Sequence, residues 1–420
     1  MSLKKSVKKF IKSQGNDSVL GKAYLSAVGK KRQKRYEKYA ELPVDEKLVV
    51  FEAFMGRKYT DSPRAIYEKM LADDRYADYH FIWCFRDSVM AEHLQLADEP
   101  RTDLVRWGSE DYYATYAKAG YWITNTRIPG AIDIRPEQTY VQCWHGTPLK
   151  RLGCDIETEV TESKETTRKV IHGDARRYSY FISTSPFYTD VMTSAFDLKA
   201  LGKEDVMIET GYPRNDALAG ATAQKQREIR AALGIPEDKK VLLYAPTYRE
   251  NERDRDSKYT FRKALDYDRL RDALGDEYVI LFRAHYFIAQ EFDFDQYDGF
   301  IIDVSSYPEI NDLYIASDLL ITDYSSVFFD FAILNRPVIF YMYDLELYRD
   351  ELRGFYLGLE DLPGPITTEQ EELETKILTC SRWSNTPEYQ KAFEDFRQRF
   401  TPYEDGHATE RVLETVMNGE

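Results

Sequence analysis

Downstream of Pro43, short apolar runs alternate with charged, amphipathic stretches along nearly the whole chain. The first series is LVVFEAF (48–54), YHFIWCF (79–85), YWITNT (121–126), TYVQCWH (139–145) and YFISTS (180–185). A second follows: VMIETG (206–211), KVLLYAPTY (240–248), YVILFRAH (278–285), FIIDVS (300–305), DLLITDY (318–324) and PVIFYMY (337–343). Runs this rich in β-branched and aromatic residues predict strands buried on both faces. The stretches between them, such as SPRAIYEKMLAD (62–73), space their apolar residues as a helix does. Strands and helices in alternation predict an α/β fold of parallel sheets, and no repeat of fixed period interrupts it.

A chain of 420 residues fits two domains of roughly 150–200 residues each. The best boundary is where YPRNDALAG gives way to a charged stretch and then GIPEDKK. This predicts a Rossmann-like domain over 39–212, a linker over 213–239 and a second Rossmann-like domain over 240–420. Helices, PEYQKAFEDFRQRF and then ATERVLETVMNG, close the second. Two such halves facing a cleft would place ligands at the carboxyl ends of strands from both.

Residues 1–38 read differently. Leu3, Val7, Phe10 and Ile11 share one helical face, lysines take the others, and KKRQKR follows. Twelve cations stand there against Asp17 and Glu37, a local charge of +10 that leaves −25 on the remainder of a chain whose total is −15. A basic amphipathic helix of this kind predicts attachment to an anionic membrane surface, with docking on the acidic body as the alternative. So acidic a body repels phosphate backbones, which argues against nucleic acid as a partner.

Cys84, Cys143, Cys154 and Cys380 form no C-x-x-C pair, zinc cluster or disulfide framework, which fits a reducing cytoplasm. The start MSLKKSVKKFIK lacks the apolar core of a signal peptide. The most apolar stretch, 318–343, is broken by Asp323, Asp330, Asn335 and Arg336 before it could span a bilayer.

Neither common glycine-rich phosphate loop occurs, but four strand ends carry polar residues that chemistry could use. In Cys143-Trp144-His145-Gly146-Thr147-Pro148, the histidine is a candidate base and the glycine would let a ligand approach the backbone. Threonine and proline there predict the start of a helix, whose free N–H groups would suit an anion. A lone strand-end histidine usually serves packing; the Gly-Thr-Pro that follows favours the functional reading. Arg283-Ala284-His285 offers an arginine for a phosphate and a histidine for a diphosphate oxygen or leaving group, against an ordinary ion pair as the bland alternative. Asp323, Ser325 and Ser326, ahead of VFFDFAIL, predict either a helix cap or a diphosphate nest. Thr247 and Arg249, in APTYR, form a weaker candidate for the same ligand.

In this order, WHGTPLK, TGYPRND, APTYR, RAH and TDYSSVFFDFAILNRPVIFY resemble the CDP-glycerol glycerophosphotransferases of teichoic-acid synthesis. FEAFMGRKYTDSPRAIYE and LPGPI extend the resemblance over about 48–400, with Ser62 a mild departure where the family commonly has asparagine. It implies a two-domain GT-B fold, an acceptor domain over 39–212 and CDP-glycerol binding within 240–420. It further implies two essential histidines, by motif His145 and His285, with no cofactor and no metal; no D-x-D sits at a strand end. The expected reaction passes glycerol phosphate to a lipid-linked acceptor at the cytoplasmic face of the membrane. CDP-ribitol or a capsule acceptor is the near alternative. A GT-B sugar transferase, a nucleotide-sugar epimerase and a non-catalytic binding module are more distant ones.

Overall fold

The computed structural model describes residues 19–157, 164–247, 265–284, 294–345 and 354–418. Seven strands form the first sheet: β1 (Asp45–Glu52), β2 (His80–Phe85), β3 (Thr102–Arg106), β4 (Ala119–Thr124), β5 (Thr139–Gln142), β6 (Tyr180–Ser183) and β7 (Met207–Glu209). Six form the second: β8 (Lys240–Ala245), β9 (Tyr278–Phe282), β10 (Ile301–Asp303), β11 (Leu319–Thr322), β12 (Val338–Tyr341) and β13 (Ile366–Thr367). The order is β3-β2-β1-β4-β5-β6-β7 in one and β10-β9-β8-β11-β12-β13 in the other. Every pairing within them is parallel.

Burial explains why the apolar runs became strands. In β8, Val241, Leu243 and Ala245 join one hydrophobic cluster while Leu242 and Tyr244 join another on the opposite face. That alternation is the two-residue period of a strand covered by helices on both sides. The run VMIETG, read from sequence with the second series, instead closes the first sheet as β7, beside β6. Strand β3 was not among the expected runs: it is an edge strand, mostly open to solvent on one side.

In both sheets the strand order reverses once, between β1 and β4 and between β8 and β11, and the crevices at such points are where ligands bind. The helix Pro387–Phe400 buries Phe393, Phe396 and Phe400 in the second half. The chain then returns, and Val412, Leu413 and Val416 enter the core of the first.

The helix Val19–Tyr36 docks its C-terminal end on the first half. Tyr36 is buried and its hydroxyl donates to the Asp133 carbonyl; Arg35 donates to Glu110 at 2.7 Å, and Arg32 lies over the Trp107 ring. Docking therefore holds for this end, while Lys30, Lys31 and Lys34 point to solvent. Residues 1–18, with the apolar face predicted there, lie outside the described residues. Among the described residues no helix is long and apolar enough to cross a membrane.

Candidate active site

The carboxyl ends of the two sheets face a cleft of about 420 Å³. One wall is Trp144–Lys150, the segment after β5; the other is built from Ala245–Thr247, Arg283–Ala284 and Tyr324–Val327, the segments after β8, β9 and β11. The sequence-predicted His145, Gly146, Thr147, Thr247, Arg283, Ser325 and Ser326 are thus brought together. Arg249 and His285 lie outside the described residues.

His145 Nδ1 is 2.9 Å from the carbonyl oxygen of Asn125, just beyond β4. A carbonyl can only accept, so Nδ1 carries the proton and Nε2 keeps its lone pair. Trp144 stacks on the imidazole at 4.5 Å and Phe54 stands at 5.6 Å. Although the ring is exposed to the cleft, the protein packed around it removes water, and this burial lowers its pKa. The Asn125 bond and the Asp61 charge oppose that shift; the nearby Arg214 charge adds to it.

The loop behind the histidine is strained. Phe54, Met55 and Gly56 take φ of 48°, 59° and 70°, three successive left-handed residues of which only one is glycine. Hydrogen bonds fix the turn: the Phe54 amide donates to Asn125 Oδ1 at 2.8 Å and the Met55 amide to Thr126 Oγ1 at 3.1 Å. Asn125 therefore holds both the imidazole, through its carbonyl, and the Phe54 turn, through its side chain. Sequence reading took it into the run YWITNT and gave it no role.

On the facing wall, the Arg283 guanidinium donates to the carbonyls of Val304 at 3.1 Å and Tyr307 at 2.9 Å. Among the described residues no carboxylate pairs with it, so the ordinary ion pair is not what is found there. Ser326 precedes the helix Val327–Ala332 without making a side-chain cap. Asp323 does not line the cleft: its buried carboxylate accepts from the amides of Thr247 at 2.8 Å and Tyr324 at 2.6 Å, joining the loops after β8 and β11.

Two local expectations are corrected. No helix starts at Thr147-Pro148; the buried Thr147 hydroxyl instead meets that of Thr184 at 3.3 Å. After a bend at Leu149, Lys150 forms an antiparallel bridge with Phe355 of the other half. Gly146 is also not kept small for a ligand alone: a Cβ there would stand 2.9 Å from Ser326 Oγ. The two walls touch at this point.

Arg214 is buried between Asp61 of the first half, at 3.1 Å, and Asp330 of the second, at 2.8 Å. These residues lie in TGYPRND, TDSP and VFFDFAIL, strings quoted above without a role for this set.

Two parallel-sheet halves, each with ligand-facing loops at its switch point, define the GT-B class. Residues 35–418 match the family described as CDP-Glycerol:Poly(glycerophosphate) glycerophosphotransferase. The chain belongs to that family. It is 39% identical to the teichoic acid glycerol-phosphate transferase of Staphylococcus aureus, across 90% of this chain and 94% of that protein. It is likewise 39% identical to the teichoic acid poly(glycerol phosphate) polymerase of Bacillus subtilis, across all of this chain but 56% of the polymerase. The chain thus spans only about half the length of that polymerase. Among solved structures, the wall teichoic acid polymerase TagF, as a histidine-to-asparagine variant soaked with CDPG, superposes with a TM-score of 0.82. That match has 38% identity and covers 93% of each chain.

Proposed function

We propose that this protein transfers glycerol phosphate from CDP-glycerol to a hydroxyl of a membrane-anchored, teichoic-acid-type acceptor and releases CMP. The observation that carries the reading is His145, its Nδ1–H tied to Asn125 and its Nε2 unprotonated, across a cleft from Arg283 and the Ser325–Ser326 loop. Family membership supports it, as does the CDPG soaked into TagF.

The acceptor hydroxyl attacks the β-phosphorus of CDP-glycerol in line. A new P–O bond forms, the bridging oxygen departs with CMP, and His145 Nε2 takes the hydroxyl proton. General-base help of this kind is worth about 10²–10⁴-fold. Arg283, the serine hydroxyls and, by its sequence position, His285 meet the charge on the diphosphate and the leaving group. Gly146, Thr147, Thr247 and Arg249 complete the proposed substrate site, with Asp323 bracing it. The half built on the first sheet takes the acceptor and the half built on the second takes the donor. The basic N-terminal segment holds the enzyme at the cytoplasmic face of the membrane, where a lipid-borne acceptor lies.

Mass spectrometry of products from CDP-glycerol, CDP-ribitol and a short lipid-linked acceptor tests this. Glycerol phosphate should be added and CMP released. Transfer from CDP-ribitol alone would move the donor assignment, and a sugar product would overturn the reading.

A further inference from the structure

Gln142, the last residue of β5, is buried, and its side-chain amide reaches two pieces of backbone at once. Its Oε1 accepts from the Trp144 amide at 2.8 Å, and its Nε2 donates to the Thr126 carbonyl at 3.3 Å. A backbone N–H can only donate and a carbonyl only accept, so these partners fix which way round the amide sits. The same Thr126 carbonyl accepts from Thr124 Oγ1 at 2.8 Å, and the Tyr140 hydroxyl stands 3.3 Å from Gln142 Nε2 and 3.0 Å from Thr124 Oγ1.

Both pieces of backbone bear on His145. Thr126 follows Asn125, whose carbonyl holds the imidazole Nδ1. Trp144 precedes the histidine, stacks on its ring and takes φ of 50°, a left-handed conformation that a Cβ disfavours. Such a backbone persists only where its surroundings over-determine it. Gln142 does so at the Trp144 amide, and Phe196, edge-on to the indole at 5.1 Å, does so at the ring. The amide after the histidine is held too, since Gly146 donates to the buried Tyr212 hydroxyl at 3.2 Å. Gln142 itself is not among the residues lining the cleft, so its part in the reaction runs through His145.

We propose that Gln142 is a positioning residue for His145. By tying the Trp144 amide to the Asn125–Thr126 corner, it keeps the stacked face of the imidazole and its Nδ1 anchor in register. Nε2 then meets the acceptor hydroxyl from one direction. This deepens the function proposed above and rests on it. Without the tie, Trp144 relaxes from its left-handed turn, the imidazole moves with it, and the Asn125 bond that sets the tautomer weakens. A misplacement of about 1 Å at a reacting group can cost about 10²-fold in rate.

The test compares Gln142→Met with Gln142→Glu. The first keeps the length and removes both hydrogen bonds. The second keeps an acceptor for the Trp144 amide and, protonated by burial, a donor for Thr126. With each protein folded by near-ultraviolet circular dichroism, Gln142→Met should lose about 10- to 100-fold in kcat, while KM for CDP-glycerol changes less than about threefold. Gln142→Glu should recover most of that loss. Nitrogen NMR of the histidine rings reads the same contact without turnover, the His145 signals being those absent from His145→Ala. The ring should carry its proton on Nδ1 in the wild-type protein and in Gln142→Glu, and divide between both tautomers in Gln142→Met. Unchanged kcat, an effect confined to KM, or an undivided wild-type tautomer in Gln142→Met would each overturn the proposal. Should Gln142→Met fail to fold, Gln142→Asn, whose shorter amide cannot span both partners, takes its place with the same expected outcome. If the wild-type protein transfers nothing from CDP-glycerol, the function proposed above fails, and the ring signals alone still decide the part of Gln142.

Discussion

At the scale of single residues, the proposed chemistry depends on which nitrogen of His145 is free. The Asn125 carbonyl fixes the proton on Nδ1, and burial moves the pKa below the ordinary value of about 6.5. A base is lost when it is protonated, so kcat/KM should fall as pH drops, with its acid limb centred below about pH 6.5. His145→Ala should lose about 10²-fold or more in turnover while staying folded, and should lose that limb as well. A limb centred above about 6.5, or surviving in the variant, would show that another group is the base. Gly146 makes a different point about small side chains. In Gly146→Ala the new Cβ would crowd Ser326 Oγ at 2.9 Å but only touch its Cβ, at 3.5 Å. The hydroxyl can turn away, which is cheaper than moving backbone. The variant should therefore unfold close to the wild-type midpoint, yet bind a CDP ligand no better than Ser326→Ala in calorimetric titration. A large fall in stability with CDP affinity intact would contradict this.

At the scale of elements, the docked helix changes how membrane attachment is best probed. Removing residues 1–38 would also remove Tyr36 from the core and Arg35 from Glu110, confusing anchoring with folding. Replacing Lys30, Lys31 and Lys34 by glutamine leaves those contacts alone. Each charge is worth up to about 1 kcal/mol at an anionic surface, so co-sedimentation with anionic vesicles should weaken at low salt and converge with wild type at high salt. Identical sedimentation at low salt would leave that face without a membrane role. The elements also show what sequence could and could not say. Strands such as β11 and β12, buried at every position, announced themselves as unbroken apolar runs. The TDLVR of β3 did not, because an edge strand can keep polar residues facing water. Thr147-Pro148 carried a helix-start signal that is purely local, and the tertiary bridge from Lys150 to Phe355 overrode it. Seven of the residues named from strand-end motifs line one cleft, since parallel sheets put strand ends together. The Asp61–Arg214–Asp330 set was out of reach, because its members are separated by 153 and 116 positions in the chain.

At the scale of the whole molecule, the seam between the halves is a buried network of charges. Glu404, from the returning C-terminal segment, accepts the Tyr212 amide at 3.0 Å; burial, with Asp330 nearby, pushes its pKa up to about 8. Among the described residues, its Oε2 and the Oδ1 of Asn215 have no hydrogen-bond partner. Unfolded, a glutamate releases its proton near 4.5, so between there and about 8 the folded state holds one proton more. Stability contributed by this group is thus complete below about pH 4.5, falls as pH rises and is gone above about 8. Glu404→Gln keeps the acceptor for Tyr212 and cannot ionise. Its stability in urea should overtake wild type as pH rises from about 5 to 9, by about 2–5 kcal/mol. Glu52, raised to about 7 by burial, adds a similar slope to both proteins and cancels in the comparison. Parallel pH curves would mean that Glu404 is ionised in the folded protein.

The return of the chain also has a mechanical consequence. The halves are tied covalently at two neighbouring places, residues 210–216 and 401–408, which are themselves bonded: Asp216 accepts from the Ala408 and Thr409 amides, each at 2.9 Å. A body pinned at two points keeps a single rotation, about the line through both, as a door does on its hinges. On the opposite side of the cleft, the Tyr356 amide meets the Leu149 carbonyl at 2.8 Å and its hydroxyl meets Asp155 at 2.6 Å, the position of a catch. Swinging on that axis would alter the gap between His145 and Arg283 without sliding one past the other.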